Sequence, residues 1–234
     1  MLFITFFLYF LPSWQITLFN MKNNIRLSLL LIFVFIATIL FGFVNKLTAP
    51  RILSNEELLI NGFYKLREPV ALSDFSLERE DGSYFTNSDL QDKWTIMYFG
   101  FSSCPTECPV TMSELRKLIN VLREKDFELY DKQWILVTID PERDSAEDIN
   151  FYASRFDSSF VGVRAERPTL LSLTTQLNVA KVKPMKHEMH SIEELSNHVN
   201  NIILINQNGE YFGFFRPPFD VSKLSLTYQS VTTE

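Results

Sequence analysis

Cys104 and Cys108 are the only two cysteines among 234 residues, and three residues separate them. The stretch Phe99-Gly100-Phe101-Ser102-Ser103-Cys104-Pro105-Thr106-Glu107-Cys108-Pro109 lies between an apolar run and an amphipathic one. Pro109 fits only a first helical turn, where no N–H partner is lost. A helix that begins near Cys108 turns its positive end toward both sulfurs and favours thiolates. A spacing of four puts the sulfurs about one turn apart on the same side. Two such thiolates can share one soft ion, and they suit Cu(I) and zinc alike. They can also cycle between dithiol and disulfide, although redox thioredoxins use two intervening residues. A third reading makes them two small buried residues at a helix start. A disulfide staple is the poorest account, because small secreted scaffolds carry more cysteines and so short a loop constrains little chain.

The chain has three histidines, His187, His190 and His198. Taken alone, a histidine at a strand start, such as His198, reads as a polar surface residue. The run Met185-Lys186-His187-Glu188-Met189-His190 combines thioether and imidazole, both good copper ligands. It reads either as a second, weaker copper-capture site or as a polar loop with incidental side chains. Ser191-Ile192-Glu193-Glu194 resembles a capping box that opens a short helix. Glu107 complements a helix dipole. Asp140-Pro141 reads as a turn, with Arg143 and Asp144 pairing locally. No Ser-His-Asp set, phosphate loop or carboxylate pair stands out, so no catalytic residue is nominated.

These residues need a scaffold, and the pattern around them describes one. Residues 94–101 form a nearly continuous apolar run, as in a strand buried on both faces. Leu115, Leu118, Ile119 and Leu122 recur at helical spacing and mark one face of a helix. A second buried strand covers 134–139, and helical sequence follows at about 145–155 and 169–177. A strand over 199–206 turns at Asn208-Gly209 into a partner at 211–215. Upstream, 75–78 and 83–86 make a hairpin around Asp81-Gly82. Residues 221–229 suit a last helix. Strands and helices in alternation, then a hairpin and a helix, predict an α/β fold with a central mixed sheet flanked by helices. The cysteines then sit just past the C-terminal end of a central strand, where such sheets place their sites. This pattern fits a thioredoxin-like fold.

Hydrophobic residues make up 46% of the chain and charged ones 21%, which is globular, and the length suits one domain with accessory segments. Lys22, Arg26 and Lys46 are the only charged residues before Arg51, so all 28 acidic residues fall in the remainder. A domain that acidic repels phosphate backbones, which argues against nucleic acid as a partner. Leu27 to Val44 is an uncharged apolar run, and as a helix it would span about 27 Å. It reads as a transmembrane anchor. It is long for the apolar core of a leader, and no clear small-x-small site precedes Lys46. Met21-Lys22-Asn23-Asn24-Ile25-Arg26 makes a short basic start before that run, so translation is expected to begin at Met21, leaving 1–20 untranslated. The expected organisation is an anchor at 21–45, a linker at 46–67 and a domain at 68–234. Basic residues flank the span on both sides and do not orient it.

The stretch Phe-Gly-Phe-x-x-Cys-Pro-x-x-Cys-Pro at 99–109 resembles the signature of the Sco/SenC family, copper chaperones for the binuclear copper site (CuA) of cytochrome c oxidase. Val137-Thr138-Ile139-Asp140-Pro141-Glu142-Arg143-Asp144-Ser145 looks like that family's DPxRD segment. Asn197-His198, followed by a strand and Asn206-Gln207-Asn208-Gly209, is similar to its Asp-His, strand, Asp-Pro-Asp-Gly block, with Asn197 in place of the usual aspartate. The three blocks cover about residues 70–216 in order. The resemblance implies a thioredoxin-like domain that holds copper through Cys104, Cys108 and His198. It implies a copper-binding subunit of cytochrome c oxidase as acceptor, with other copper carriers or thioredoxin-like reductants as further partners. The alternative is a membrane-anchored thiol–disulfide oxidoreductase whose redox-active disulfide is Cys104–Cys108. The thiols must be reduced to hold the ion, so the two states exclude each other. A peroxidase of the same fold is a weaker match, as nothing points to a peroxide pocket. The implied location is a bacterial inner membrane with the domain in the periplasm. The alternative is the mitochondrial inner membrane facing the intermembrane space, although no Arg/Ser-rich transit peptide is evident.

Overall fold

The computed structural model describes residues 12–48, 51–179 and 200–233. It divides into two units, one ending at Pro50 and one beginning at Arg51. The described residues of the first form a single helix, α1 (Pro12–Thr48). Within it, Asn24–Val44 is a 21-residue stretch long and apolar enough to cross a membrane. Its side chains are all exposed, from Leu27 and Phe33 to Phe43.

The second unit contains α2 (Asn55–Ile60), β1 (Phe63–Ala71), β2 (Ser76–Glu78), β3 (Tyr84–Thr86), β4 (Trp94–Gly100), α3 (Glu107–Glu124) and β5 (Lys132–Thr138). These are followed by α4 (Ala146–Ser154), β6 (Phe160–Val163), α5 (Arg167–Gln176), β7 (Ile202–Ile205), β8 (Glu210–Phe215) and α6 (Val221–Thr233). Six strands form one sheet in the order β1-β8-β7-β4-β5-β6, and β2 and β3 form a separate hairpin. β4, β5 and β6 run parallel, whereas β7, β8 and β1 pair antiparallel, so the sheet is mixed.

The apolar run at β4 is explained by its two covered faces. Ile96 and Tyr98 pack with Met112, Leu115 and Ile119 of α3 and with Leu224 and Tyr228 of α6. Met97 and Phe99 point the other way, into Leu77 and Phe85 of the hairpin and Leu170 and Leu173 of α5. A parallel pair such as β4 and β5 needs a crossover, and α3 supplies it. β6 was not anticipated from the sequence. Its four residues include Gly162, where a Cβ would come within 2.4 Å of the α4 backbone. Only glycine lets α4 lie that close to the strand.

The stretch 46–67, expected as a linker, holds regular structure from Asn55 onward. Ser54 Oγ accepts from the Glu57 N–H, and a Glu57 carboxylate oxygen accepts from the Ser54 N–H, a capping box that opens α2. Leu58 and Phe63 are fully buried, and β1 forms the sheet edge beside β8. β1 shows no apolar alternation beyond Phe63, as expected of an edge strand with little to bury.

Candidate metal centre

β4 ends at Gly100, and its carbonyl accepts from the Ile139 N–H at 2.9 Å. The chain then turns through residues 101–106 into α3. Phe101 is buried, and its carbonyl accepts from the Cys104 N–H at 3.3 Å. Thr106 is the N-cap of α3 but its side chain makes no capping bond. Cys104 Sγ does so in its place, accepting from the Cys108 N–H at 3.3 Å. The sulfur therefore sits at the mouth of the helix, on donors that a helix start leaves unpaired.

The two cysteines are free thiols and lie beside one another. Their environments drive them apart. Cys104 is pulled down to about 6, first by the hydrogen bond from the Cys108 thiol, with further help from the N–H groups of Cys108, Thr106 and Glu107. Cys108 is pushed up, first because its proton is held in that same bond and then by burial. One thiolate and one thiol sharing a proton is the physical state of such a pair. Cys104 is 6% exposed and Cys108 not at all, so only the former is open to reaction from outside.

Gly100 has a local reason. A Cβ there would meet Cys108 Sγ at 3.0 Å and the Tyr98 ring at 3.2 Å. The glycine of Phe-Gly-Phe makes room for the sulfur.

A second clamp comes from the turn after β5. Asp144 is 2% exposed. It accepts from the Ser102 N–H at 2.9 Å, from Thr138 Oγ1 at 2.7 Å and from Ser102 Oγ. It thereby ties the cysteine loop to the end of β5. The expectation that Arg143 and Asp144 pair locally needs correction on this point. Arg143 forms its ion pair with Asp140, and Asp144 faces inward to the loop. Burial raises the Asp140 carboxyl even with Arg143 beside it.

Tyr98 reaches the same spot from β4. Its hydroxyl donates to Asn200 Oδ1 at 2.7 Å. Burial first, and then the neighbouring Cys108 and Cys104 sulfurs, push that hydroxyl well above the ordinary range. Asn200 also meets Thr111 and Glu107 of α3, which ties the entry to β7 to the helix end that bears Cys108. Tyr152 of α4 also faces the cysteines, and its buried hydroxyl has no partner among the described residues.

Of the expected ligands, the structure brings Cys104 and Cys108 together. His198 lies outside the described residues, as do Met185, His187 and His190 and the expected capping box at Ser191. Among the described residues no group of three or more His, Cys, Asp or Glu side chains could hold an ion. Glu107 is the first residue of α3, as its reading as a dipole partner requires. Sequence reasoning missed Ser102, Tyr98, Thr111 and Asn200, and gave Asp144 the wrong partner. The only available signal was a buried-strand tyrosine and an asparagine opening an apolar run.

The SCO1/SenC family model matches residues 65–231. SCO1 homolog 1 of Arabidopsis thaliana, a mitochondrial protein, is 29% identical over 151 residues. That match covers 64% of this chain and 44% of the relative, so the chain spans less than half of that relative's length. The solution structure of apo Sco1 from Thermus thermophilus is similar at 25% identity and a TM-score of 0.60, covering 72% of this chain and 95% of that one. Arabidopsis thaliana ScoI, solved with copper bound, is similar at 26% identity and a TM-score of 0.58, covering 68% of this chain and 98% of that one. The fold is thioredoxin-like, as expected. The chain belongs to the SCO1/SenC family.

Proposed function

We propose that this SCO1/SenC protein is a membrane-anchored copper carrier, with Cu(I) as cargo on Cys104, Cys108 and His198. The observation that carries the reading is the pair of adjacent sulfurs at the mouth of α3, one of them held as thiolate. Thiolate is the form that binds a soft ion. The third ligand fits by chain reach. Asn200 is anchored on Tyr98, Thr111 and Glu107, and residue 198 is two residues before it, at most about 7 Å of extended chain. The copper-bound Arabidopsis relative supports the choice of metal. The apolar stretch of α1 serves as the anchor, within residues 21–45, and the domain works outside the cytoplasm, in a bacterial periplasm. The acceptor is the copper-binding subunit of cytochrome c oxidase.

Copper quantification on the reduced full chain in detergent tests this. One copper per chain is expected, resistant to a competing chelator. His198→Ala should release copper to that chelator while still exchanging thiol for disulfide, and Cys104→Ser or Cys108→Ser should lose both. A His198→Ala chain that holds copper as tightly as the parent refutes the ligand set.

The split between the two thiols favours a second reading, a thiol–disulfide oxidoreductase. Cys104 thiolate would attack a substrate disulfide, forming a mixed disulfide and expelling one substrate thiolate. Cys108 would then attack Cys104 Sγ, releasing the second substrate thiol and leaving Cys104–Cys108 oxidised. Two electrons pass to the substrate, and a thioredoxin-like reductant restores the dithiol. Survival of this exchange in His198→Ala, beside wild-type copper retention, would favour it.

A further inference from the structure

We propose that the surface around α2 is a membrane-facing patch, which lies against the headgroup and upper acyl region of the bilayer that holds the chain. The inference rests on the anchor reading of α1. Ile60 is 74% exposed, Ile52 63% and Leu59 51%. Elsewhere among the described residues of the domain, exposed large apolar side chains stand singly along the chain, such as Val70, Tyr84 and Phe151. Single ones are ordinary on a protein surface, whereas a group marks a contact.

An open cleft of about 580 Å³ beside α2 extends the group. Ile60 lines it with Pro217, Pro218 and Phe219, and the two prolines are exposed. Arg216 and Lys223 are its cations. Asp220, also in the lining, opens α6 by accepting from the Ser222 and Lys223 N–H groups at 3.0 Å. These side chains do not hang on a loose stalk. The Leu53 N–H donates to Ser230 Oγ of α6 at 2.7 Å, and Leu58 is buried. The Arg216 N–H donates to the Gly62 carbonyl at 2.9 Å. The patch is thus a fixed part of the domain surface.

Two observations name the bilayer as its occupant. Leu53, fastened to α6, follows Val44 by nine residues, at most about 32 Å of extended chain. A span that ends at Val44 therefore keeps this part of the domain near the lipid headgroups. Charge points the same way. All 28 acidic residues of the chain lie beyond Pro50. Around α2 and the cleft, however, Arg51, Arg216 and Lys223 match Glu56, Glu57 and Asp220, so the acidic excess lies on other faces. An anionic bilayer repels those faces and admits this one. Such binding grows with the apolar area buried at the interface. A tethered contact needs little intrinsic affinity, because its effective concentration is high.

The test places a nitroxide on the full chain, one chain per nanodisc, in phosphatidylethanolamine with a minority of phosphatidylglycerol. Single labels go on Ile60→Cys, Tyr130→Cys and Phe35→Cys, each in a Cys104→Ser/Cys108→Ser background. Collisions with oxygen, which concentrates in lipid, and with a water-soluble nickel chelate read the depth. Nickel collisions at Ile60 should fall severalfold below those at Tyr130, which is 82% exposed, while oxygen collisions rise. Equal values at the two positions overturn the proposal. Shielding of Ile60 from both reagents means a protein contact in place of lipid, and overturns it as well. If Phe35 meets the nickel chelate freely, the anchor reading falls and this inference falls with it. If Phe35 is shielded and Ile60 is not, only this inference falls. Should the thiol-free background fail to fold, the parent chain is photolysed in the same nanodiscs with a headgroup-diazirine phosphatidylethanolamine. Lipid adducts on residues 52–60 are then expected, and their absence overturns the proposal.

Discussion

The split between the two sulfurs makes a quantitative prediction for the metal-free, reduced protein. Cys104 ionises near 6 where an ordinary thiol stands at 9.0. At pH 7 it is then about 90% thiolate, against about 1% for the ordinary thiol, a gain of about 90-fold. A less basic thiolate is also a poorer nucleophile, and a Brønsted slope of about 0.4–0.5 over three units takes back about 15–30-fold. Cys104 should therefore react with iodoacetamide only about three- to sixfold faster than an ordinary thiol of equal access at pH 7. Its burial lowers the absolute rate, so the pH profile is the more telling measurement. The rate should reach half its maximum near pH 6 and stay flat above pH 7, with Cys108 unmodified. The bond from Cys108 is the largest cause of the shift. Cys108→Ala should therefore move the midpoint upward by more than one unit. Rates followed by mass spectrometry from pH 4.5 to 9 read both values. A log rate that rises with unit slope through pH 8, or a midpoint unmoved in Cys108→Ala, refutes the account of a proton held between the sulfurs.

Two further outcomes follow from the packing around the site. Gly100→Ala drives a methyl against Cys108 Sγ and the Tyr98 ring, and should cost about 1–3 kcal/mol in chemical denaturation while loosening copper retention. Parental stability would show that the sulfur can yield. Asp144→Ala strands the Ser102 amide and two hydroxyls, one of them on the buried Thr138. It should cost about 2–4 kcal/mol and speed Cys104 alkylation as the loop slackens. A stability loss without faster alkylation would mean that the loop holds its shape unaided.

Much of the fold was legible because burial on both faces writes itself into composition. β4 and β5 are apolar runs, α3 has a clean stripe, and the Asp81-Gly82 turn leaves Gly82 at φ 78°. The elements that escaped lack that imprint. β1 buries little beyond Phe63, and β6 is four residues long. α2 also escaped, because the linker reading of 46–67 passed over the capping signature Ser54-Asn55-Glu56-Glu57 in a stretch of mixed charge.

The amino-acid sequence alone determined the chemistry on offer: two sulfurs at helical spacing behind a Pro-stopped turn, after a strand too apolar to face water. Those are local facts, set by backbone geometry and the hydrophobic effect over a dozen residues. Tertiary structure decided which sulfur keeps its charge, because that depends on whose proton is shared and how deeply each is buried. It also decided that Asp144 holds the cysteine loop and that Asn200 reaches Tyr98, 102 positions away in the chain. Hydrogen bonds between distant segments leave no period in a sequence. They exist only once the sheet has brought β4 and β7 side by side.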